Sequence, residues 1–235
     1  MSEKPHTTKG ERTRARILQA ALELFREQGF EESTVREVAE RAGVAVGSAY
    51  YYFESKEHLV QGFYAQTHVE HVAACESLLA RESSLRARLR GVLWEKIRTA
   101  EPYHRLSAAL FRSAADPTSP LSPFSVESAR TREDAVELMR RVVLGSRTRI
   151  HKDLREELPR LLWLYEMGII LFWIHDCSPG RTRTRSLIEH TAGLVARLVG
   201  MASLPLMGPI RKGTLRLLAD LEPRVGGAGR GPRTP

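Results

Sequence analysis

The sequence has too few cysteines for a disulfide framework, since Cys75 and Cys177 are the only two among 235 residues. Such a chain fits a reduced, cytoplasmic setting. Its most apolar run, residues 161–174, contains Glu166 and is shorter than the ~20 residues that a membrane span needs. The N-terminus has no apolar leader, so we expect no secretory signal. We therefore predict a cytoplasmic protein without a membrane partner.

Sequence motifs of enzyme chemistry are also missing. We find no glycine-rich phosphate loop, and His175, Asp176 and Cys177 stand together at a predicted helix end without the arrangement of a nucleophile and its base. His68 and His71 are three residues apart, but no third metal ligand accompanies them. We predict that the protein is not an enzyme and holds neither a metal nor a cofactor.

The charge of the chain favours a nucleic-acid partner but does not locate its surface. The formal net charge is +8 and the sequence pI is about 9.9. Residues 1–60, however, contain nine Lys and Arg against ten Asp and Glu, whereas residues 61–235 contain 27 against 18. A DNA-binding surface in the N-terminal part must therefore be argued from motifs and placement.

Helical periodicity dominates the chain, and neither strand-type alternation nor an internal repeat stands out. We predict an all-α fold with an N-terminal three-helix helix-turn-helix domain and a C-terminal helical domain. The predicted boundaries are a disordered arm over 1–11, the helix-turn-helix domain over 12–60, the second helical domain over 61–222 and a disordered tail over 223–235.

A helix-turn-helix pattern begins at Thr34. Thr34 and Glu37 have the spacing of a capping box, in which each side chain satisfies a backbone N–H of the other residue. Gly43 supplies the turn, and a second short helix is predicted from Val46 to Phe53. Two helices joined by a glycine turn within about 20 residues form the motif that places its second helix in a DNA groove.

Four consecutive aromatic residues, Tyr50, Tyr51, Tyr52 and Phe53, cannot share one face of this helix, because successive residues are about 100° apart. Phe53 shares a face with Ala49, so we expect both to pack in the core. We expect Tyr51 and Tyr52 to project away from the fold, and Tyr50 to lie at the boundary. Exposed tyrosines suit duplex DNA, since a ring can touch a thymine methyl group while its hydroxyl reaches a phosphate.

The stretch "TVREVAERAGVAVGSAYYYFESKEHL" resembles the DNA-binding domain of the TetR (tetracycline-repressor) family of transcriptional regulators. The resemblance extends over residues 12–62, about a fifth of the chain. The positions that carry it are Thr34 and Val35, Ala39, Gly43 and Val44, Tyr50 and Phe53, and Ser55, Lys56 and Glu57.

This resemblance implies that residues 12–60 are the DNA-binding domain and that residues 61–222 are the regulatory, ligand-binding and dimerisation domain. It implies a homodimer that binds a pseudo-palindromic double-stranded DNA operator, and most simply a repressor released by a small molecule. The alternative is a regulator or activator without a small-molecule inducer. The DNA-binding residues that it implies are Thr34, Arg36, Val46, Gly47, Ser48, Tyr50, Tyr51, Tyr52 and Lys56. Lys56, in the first turn of the following helix, is expected to hold a phosphate. Ala45 departs from the family, which usually has a capping Ser there.

The C-terminal half offers only candidates for an effector pocket. They are large, soft side chains, together with one carboxylate: Trp94, Phe111, Met139, Trp163, Glu166, Met167 and Phe172. Most can equally be ordinary core. Glu166 shares a helix face with Trp163 and Trp173, and a carboxylate between two indoles can hold a cation, although Glu usually reaches solvent. The expected effector is thus a small hydrophobic or cationic aromatic molecule.

Two predicted helices, over residues 158–177 and 185–202, are the candidates for dimerisation. The first is apolar nearly all round and must be buried on several sides. One such pair from each subunit would give a four-helix bundle. Packing within the chain explains the same pattern, and both roles can coexist.

Overall fold

The computed structural model describes residues 8–204 together with Gly208 and Gly213. Its α-helices are α1 (Lys9–Glu27), α2 (Val35–Arg41), α3 (Val46–Tyr52), α4 (Lys56–Arg81), α5 (Leu85–Ala100), α6 (His104–Ala114), α7 (Ala129–Leu144), α8 (Lys152–His175) and α9 (Thr182–Ala202). Short 3₁₀ turns, Glu101–Tyr103 and Pro179–Arg181, lead into α6 and α9. These described residues include no strand, and the predicted all-α class is confirmed.

The first helix begins earlier than predicted. The Thr8 hydroxyl accepts a hydrogen bond from the Glu11 N–H, and the Glu11 carboxylate accepts one from the Thr8 N–H. This capping box satisfies two N–H groups that a helix start otherwise leaves unpaired, so the helix is stable from Lys9 onward. Residues 9–11 are therefore helical and do not belong to a disordered arm. Residues 1–7 and the predicted tail lie outside the described residues.

Helices α1 to α3 and the start of α4 enclose the N-terminal core. Ile17, Val38 and Ala49 are fully buried there. The same cluster extends into α6 through Leu106 and Leu110. The N-terminal core is therefore not confined to the residues before the predicted domain boundary near residue 60, because α6 contributes buried side chains to it.

The second core lies between the C-terminal half of α4 and helices α5, α7, α8 and α9. Its largest fully buried side chains include Leu89, Met139, Leu162 and Trp173. None of the described helices contains an apolar segment of the length needed to cross a lipid bilayer. The loop between α6 and α7 contains three prolines within seven residues, Pro117, Pro120 and Pro123.

Arg88 on α5 joins three helices from inside this second core. It is 4% exposed, and its guanidinium donates hydrogen bonds of 2.5–3.0 Å to the carbonyl oxygens of Leu79, Glu82, Arg141 and Val142. These carbonyls lie at the C-terminal ends of α4 and α7, where a helix leaves acceptors unpaired and where its dipole favours a cation. Arg88 thus supplies hydrogen-bond donors to the carbonyl groups at the C-terminal ends of both α4 and α7.

Replacing Arg88 by Met should lower the free energy of unfolding by roughly 2–4 kcal/mol, because buried carbonyls lose their donors. Urea denaturation followed by far-UV circular dichroism measures this loss. Arg98→Met on the same helix is the matched control: its guanidinium makes an exposed pair with Glu95 at 2.6 Å, so it should cost less than about 1 kcal/mol. Equal unfolding midpoints for the two variants would contradict the role given to Arg88.

Candidate nucleic-acid interface and effector cavity

The start of α2 presents two of the predicted DNA-binding residues to solvent. Thr34 caps the helix, its hydroxyl accepting from the Glu37 N–H at 3.3 Å while the Glu37 carboxylate accepts from the Thr34 N–H at 2.8 Å. The Thr34 hydroxyl also donates to the Glu37 carboxylate at 2.8 Å, and this bond, together with the one from the Thr34 N–H, lowers the pKa of Glu37. Val35 and Val38 are buried, which leaves Thr34 and Arg36 exposed at the helix N-terminus.

Helix α3 is short and has no side-chain cap. Ala45 is its N-cap residue and, as the sequence predicted, has no side-chain acceptor for the N–H groups of the first turn. Ala49 is fully buried and Phe53 is 2% exposed, so this face of the helix is fixed against the N-terminal core. Gly47 is exposed on the side away from the core.

The four aromatic residues divide much as predicted, with one correction. Tyr51 is 82% exposed and Tyr50 is 48% exposed. Tyr52, predicted to project away, is instead half-buried and packs against the N-terminal core. A methyl group on Gly10 would lie 3.4 Å from the Tyr52 hydroxyl oxygen, so the ring reaches back to the start of α1. The Tyr51 ring meets the Tyr52 ring edge-on, with centroids 5.1 Å apart.

Lys56 is engaged within the protein. Its ammonium donates hydrogen bonds to the carbonyl oxygens of Phe30 (3.1 Å) and Glu31 (2.9 Å), and it lies 4.5 Å from the centroid of the Phe30 ring. The Glu31 carboxylate is 3.8 Å away. Lys56 therefore ties the start of α4 to the turn between α1 and α2. A phosphate at this position would share the ammonium with two carbonyl groups, a point that the sequence does not reveal.

A cavity of about 200 Å³ lies between α4, α5, α6, α7 and α8. Three of the predicted pocket residues line it: Phe111, Trp163 and Met167. The other side chains of its wall are Gln61, Phe63, Tyr64, Thr67, His68, Lys96, Thr99, Ala100, Tyr103, Ser107, Ala114, Leu121, Pro123, Ser128, Thr131, Arg132, Ala135, Ile170, Trp173 and Ile174. Part of the wall is aromatic, since it includes the indoles of Trp163 and Trp173 and the phenols of Tyr64 and Tyr103.

The remaining four predicted pocket residues do not line this cavity. Trp94 faces the other side of α5, where its indole N–H donates to Glu189 at 3.1 Å. Met139 is fully buried in the second core, and Phe172 is 40% exposed on the surface of α8. Glu166 is 2% exposed and lies behind the wall, with its Oε1 lacking a hydrogen-bond partner among the described residues.

The burial of Glu166 removes the geometric basis for a cationic aromatic ligand held between two indoles. Burial raises the pKa of this carboxyl, which favours its neutral form, while nearby Lys96 acts in the opposite direction. Glu166 was expected to reach either a ligand or solvent, and its side chain meets neither the cavity nor solvent. Periodicity assigned Trp163, Glu166 and Trp173 to one face, but the position of the neighbouring helices decides which of them meet the cavity.

Sequence reasoning missed the basic residues of the cavity wall. Lys96 on α5, Arg132 on α7 and His68 on α4 all line it. His68 is 7% exposed, and burial lowers its pKa, so the imidazole is a neutral hydrogen-bonding group. The described part of the chain contains no group of three potential metal ligands. His68 and His71 lie on adjacent turns of α4, and their rings are in contact. No pattern within a single helix indicates that these three side chains converge.

Helices α8 and α9 leave apolar side chains exposed on the surface. Leu194, Leu198 and Met201 form one stripe along α9 and are 49%, 52% and 54% exposed. On α8, Leu171 and Phe172 are 42% and 40% exposed. We call these five side chains the α8–α9 apolar face. The two helices were predicted to serve in dimerisation, in the core or in both. Each buries one face in the second core and exposes apolar side chains on another, which is compatible with both roles.

Two family models match the chain. Residues 17–62 match the model described as bacterial regulatory proteins of the tetR family, and residues 88–214 match the tetracyclin repressor-like C-terminal domain. Together the two matches extend over the helix-turn-helix and most of the helical region that follows it.

Curated relatives match in the N-terminal part. The transcriptional regulator UidR of Escherichia coli K12 is 37% identical over 59 residues, which are 25% of this chain and 30% of UidR. The transcriptional repressor KstR of Rhodococcus jostii is 55% identical over 47 residues, 20% of this chain and 22% of KstR. The chain thus spans less than a third of the length of these relatives. Both are described as regulators of transcription and not as enzymes.

A solved structure extends the likeness over most of the chain. The transcriptional regulator FadR from Bacillus subtilis, solved in complex with stearoyl-CoA, superposes with a TM-score of 0.58 over 74% of this chain and 95% of FadR. The two sequences are 15% identical, so this likeness concerns the fold alone.

The missing cap of α3 gives a stability prediction. Ala45→Ser should raise the free energy of unfolding by about 0.5–1 kcal/mol, because the serine hydroxyl can accept from the backbone N–H of the first turn. Chemical denaturation measures the change. The same substitution at the exposed, mid-helix Ala65 is the control and should instead cost up to about 0.5 kcal/mol through helix propensity. Stabilisation at Ala65 but not at Ala45 would refute the capping argument.

Proposed function

Because the chain belongs to the TetR family of bacterial transcriptional regulators, we propose that it is a homodimeric, sequence-specific DNA-binding repressor that a small-molecule effector releases from a pseudo-palindromic operator. The observation that carries the proposal is α3, which exposes Tyr50 and Tyr51 beside each other while Ala49 and Phe53 anchor the helix in the core. Exposed aromatic side chains on a rigidly held helix suit a nucleic-acid groove.

The proposed DNA contacts fall into two groups. Helix α3 enters the major groove with Val46, Gly47, Ser48, Tyr50 and Tyr51, which touch base edges and thymine methyl groups. A second set lies at the groove's edge and meets phosphates or outer bases: Thr34, Arg36, Tyr52 and Lys56. For Lys56 we propose a double role, since the ammonium that fixes the turn before α2 keeps one N–H available for a phosphate.

The cavity supports an effector-controlled regulator over one without an inducer. A packed core without a cavity would favour the alternative, and the enclosure among α4 to α8 favours a ligand. The KstR relative is described as a repressor, and the FadR neighbour was solved with an acyl-CoA bound. From these two proteins we transfer to this chain only the proposal that it is a repressor that responds to a ligand.

A route from the cavity to the DNA-binding helices is visible in the packing. Tyr103 lines the cavity, and its ring meets that of Phe63 on α4, with centroids 4.8 Å apart. The Arg26 guanidinium of α1 lies 4.7 Å above the same Tyr103 ring. A ligand that displaces Tyr103 therefore acts on α1 and α4 together. We propose that this contact couples effector binding to the spacing of the two α3 helices in a dimer, which must be ~34–36 Å for adjacent major grooves.

The α8–α9 apolar face supports the homodimer. Leu194, Leu198 and Met201 recur at intervals of four and three residues, so they form a continuous stripe that one subunit alone leaves in water. A two-fold axis through such a face pairs it with its own copy, which buries both stripes. The two helices are joined within the chain by a hydrogen bond between Tyr165 and Thr191.

DNA binding is tested with the promoter region of the protein's own gene. Tyr51→Ala should weaken binding by about tenfold, the effect of losing one base-contacting group worth ~1–3 kcal/mol, without lowering the urea midpoint. Fluorescence anisotropy at several salt concentrations measures the affinity and its salt dependence. Lys56→Ala should weaken binding to all sequences and also lower stability, because it frees the turn before α2.

The control for the DNA experiment is Val126→Ala, which removes another exposed apolar side chain far along the chain from α3. It should leave both affinity and stability unchanged. Should Tyr51→Ala bind the promoter as tightly as this control does, α3 is not the recognition helix.

Dimerisation is tested by placing charges on the α8–α9 apolar face. Leu194→Glu combined with Leu198→Glu should convert the dimer to a monomer at micromolar concentration, because four carboxylates would face each other across the two-fold axis. Analytical ultracentrifugation measures the mass. Leu144→Glu, at the end of α7 and 57% exposed, is the control and should stay dimeric. A dimer that survives the double substitution would place the interface elsewhere.

A further inference from the structure

We propose that the cavity binds a small amphiphile with a carboxylate head, with Lys96 of α5 as the group that selects the charge. This inference rests on the proposed function, in that it takes the cavity as the effector site, and it names the class of ligand. It reverses the sign of the charge that the sequence had suggested.

The first support is the charge of the wall. Two cationic side chains, Lys96 and Arg132, line the cavity beside the neutral His68, and the lining described by the structure includes no Asp or Glu. Lys96 and Arg132 are half-buried, and in such a partly desolvated site an anion is attracted to them more strongly than in bulk water. A cationic ligand would meet like charge.

The second support is that the Lys96 ammonium is available. Within the described residues it makes neither a hydrogen bond nor a close ion pair, although its charge acts on Glu166 and lowers the pKa of that carboxyl. Glu95 beside it is held by Arg98 at 2.6 Å, and Glu166 behind the wall is shifted toward its neutral form by burial. Arg132, in contrast, is partly occupied, because one of its nitrogens donates to carbonyl oxygens of the α6–α7 loop at 2.7 and 3.0 Å. One available cation suits a singly charged head group.

The third support concerns the body of the ligand. Away from Lys96 the wall is apolar and aromatic, with Phe63, Phe111, Trp163 and Ile170 among its residues. The volume of about 200 Å³ exceeds the ~150 Å³ of a cavity that holds benzene and is below the ~300 Å³ at which drug-sized pockets begin. A compact acid with a short aromatic or aliphatic chain fits both the volume and the wall.

The experiment compares probes that share one body and differ in the head group. The probes are 4-phenylbutyrate, 4-phenylbutan-1-ol, 4-phenylbutylamine and 3-phenylpropyl phosphate, with octanoate and octan-1-ol as a second matched pair. Isothermal titration calorimetry on the full chain without DNA gives the affinities, and the fluorescence of Trp163 and Trp173 reports occupancy of the cavity. The carboxylates should bind about tenfold or more tighter than the alcohols, and the amine more weakly than either, since a charge-assisted pair adds to the shared contacts.

Variants identify the residue responsible. Lys96→Met should lower the affinity for 4-phenylbutyrate by about tenfold or more while changing that for the alcohol by about twofold or less, because only the carboxylate loses a charged partner. Lys96→Arg should restore the preference for the carboxylate. Lys152→Met removes an exposed lysine at the start of α8 and should leave every affinity unchanged. Lys96→Gln serves as the second neutral variant should the methionine variant fold poorly.

Several results would overturn this inference. The first is that alcohols bind as tightly as carboxylates, and the second is that the phosphate binds more than about tenfold tighter than the carboxylate. The third is an unchanged carboxylate affinity in both neutral Lys96 variants. The fourth is that no probe binds at millimolar concentration. The outcome is separable from that of the proposed function. Carboxylate selectivity without any effect on DNA affinity would support this ligand class and refute release by an effector, whereas selectivity for alcohols would refute only the ligand class.

Discussion

The N-terminal helices and the cavity depend on one shared side chain, Phe63 of α4. It is 4% exposed, belongs to the N-terminal core, and at the same time forms part of the cavity wall. Its ring packs on that of Tyr103, and the Arg26 guanidinium of α1 lies 4.7 Å from the centroid of the same Tyr103 ring. These contacts connect the cavity wall directly to α1 and α4. Coupling between distant sites needs such a packed element with two arrangements.

Helix α3 owes its geometry to its neighbours. A helix of seven residues without a cap has no stability of its own in water, since nucleation costs more than so few hydrogen bonds return. Ala49 and Phe53 fix it by burial, and Lys56 fixes the following turn by binding the carbonyls of Phe30 and Glu31. The exposed surface of α3 is therefore held in place by the N-terminal core beneath it.

Part of the positive charge of the chain lies on side chains that interact within the protein or line its cavity. Arg88 binds the carbonyl ends of two helices, Lys56 binds the turn before α2, and Lys96 points into the cavity. The formal net charge of +8 thus overstates the basic surface available to DNA. This explains how the helix-turn-helix region can be nearly neutral overall and still be suited to DNA, because base contacts and helix N-termini supply recognition that net charge does not measure.

Local patterns in the sequence were sufficient for the helical class, the Thr34–Glu37 capping box, the uncapped start of α3, and the opposite fates of Phe53 and Tyr51. Each depends on neighbours within one or two helical turns. The packing of Tyr52 on α1, the engagement of Lys56 and the burial of Glu166 depended on tertiary structure, as did the convergence of Lys96, Arg132 and His68. Periodicity tells which face of a helix is buried, but only the arrangement of helices decides whether that face meets a core, a carbonyl or a cavity.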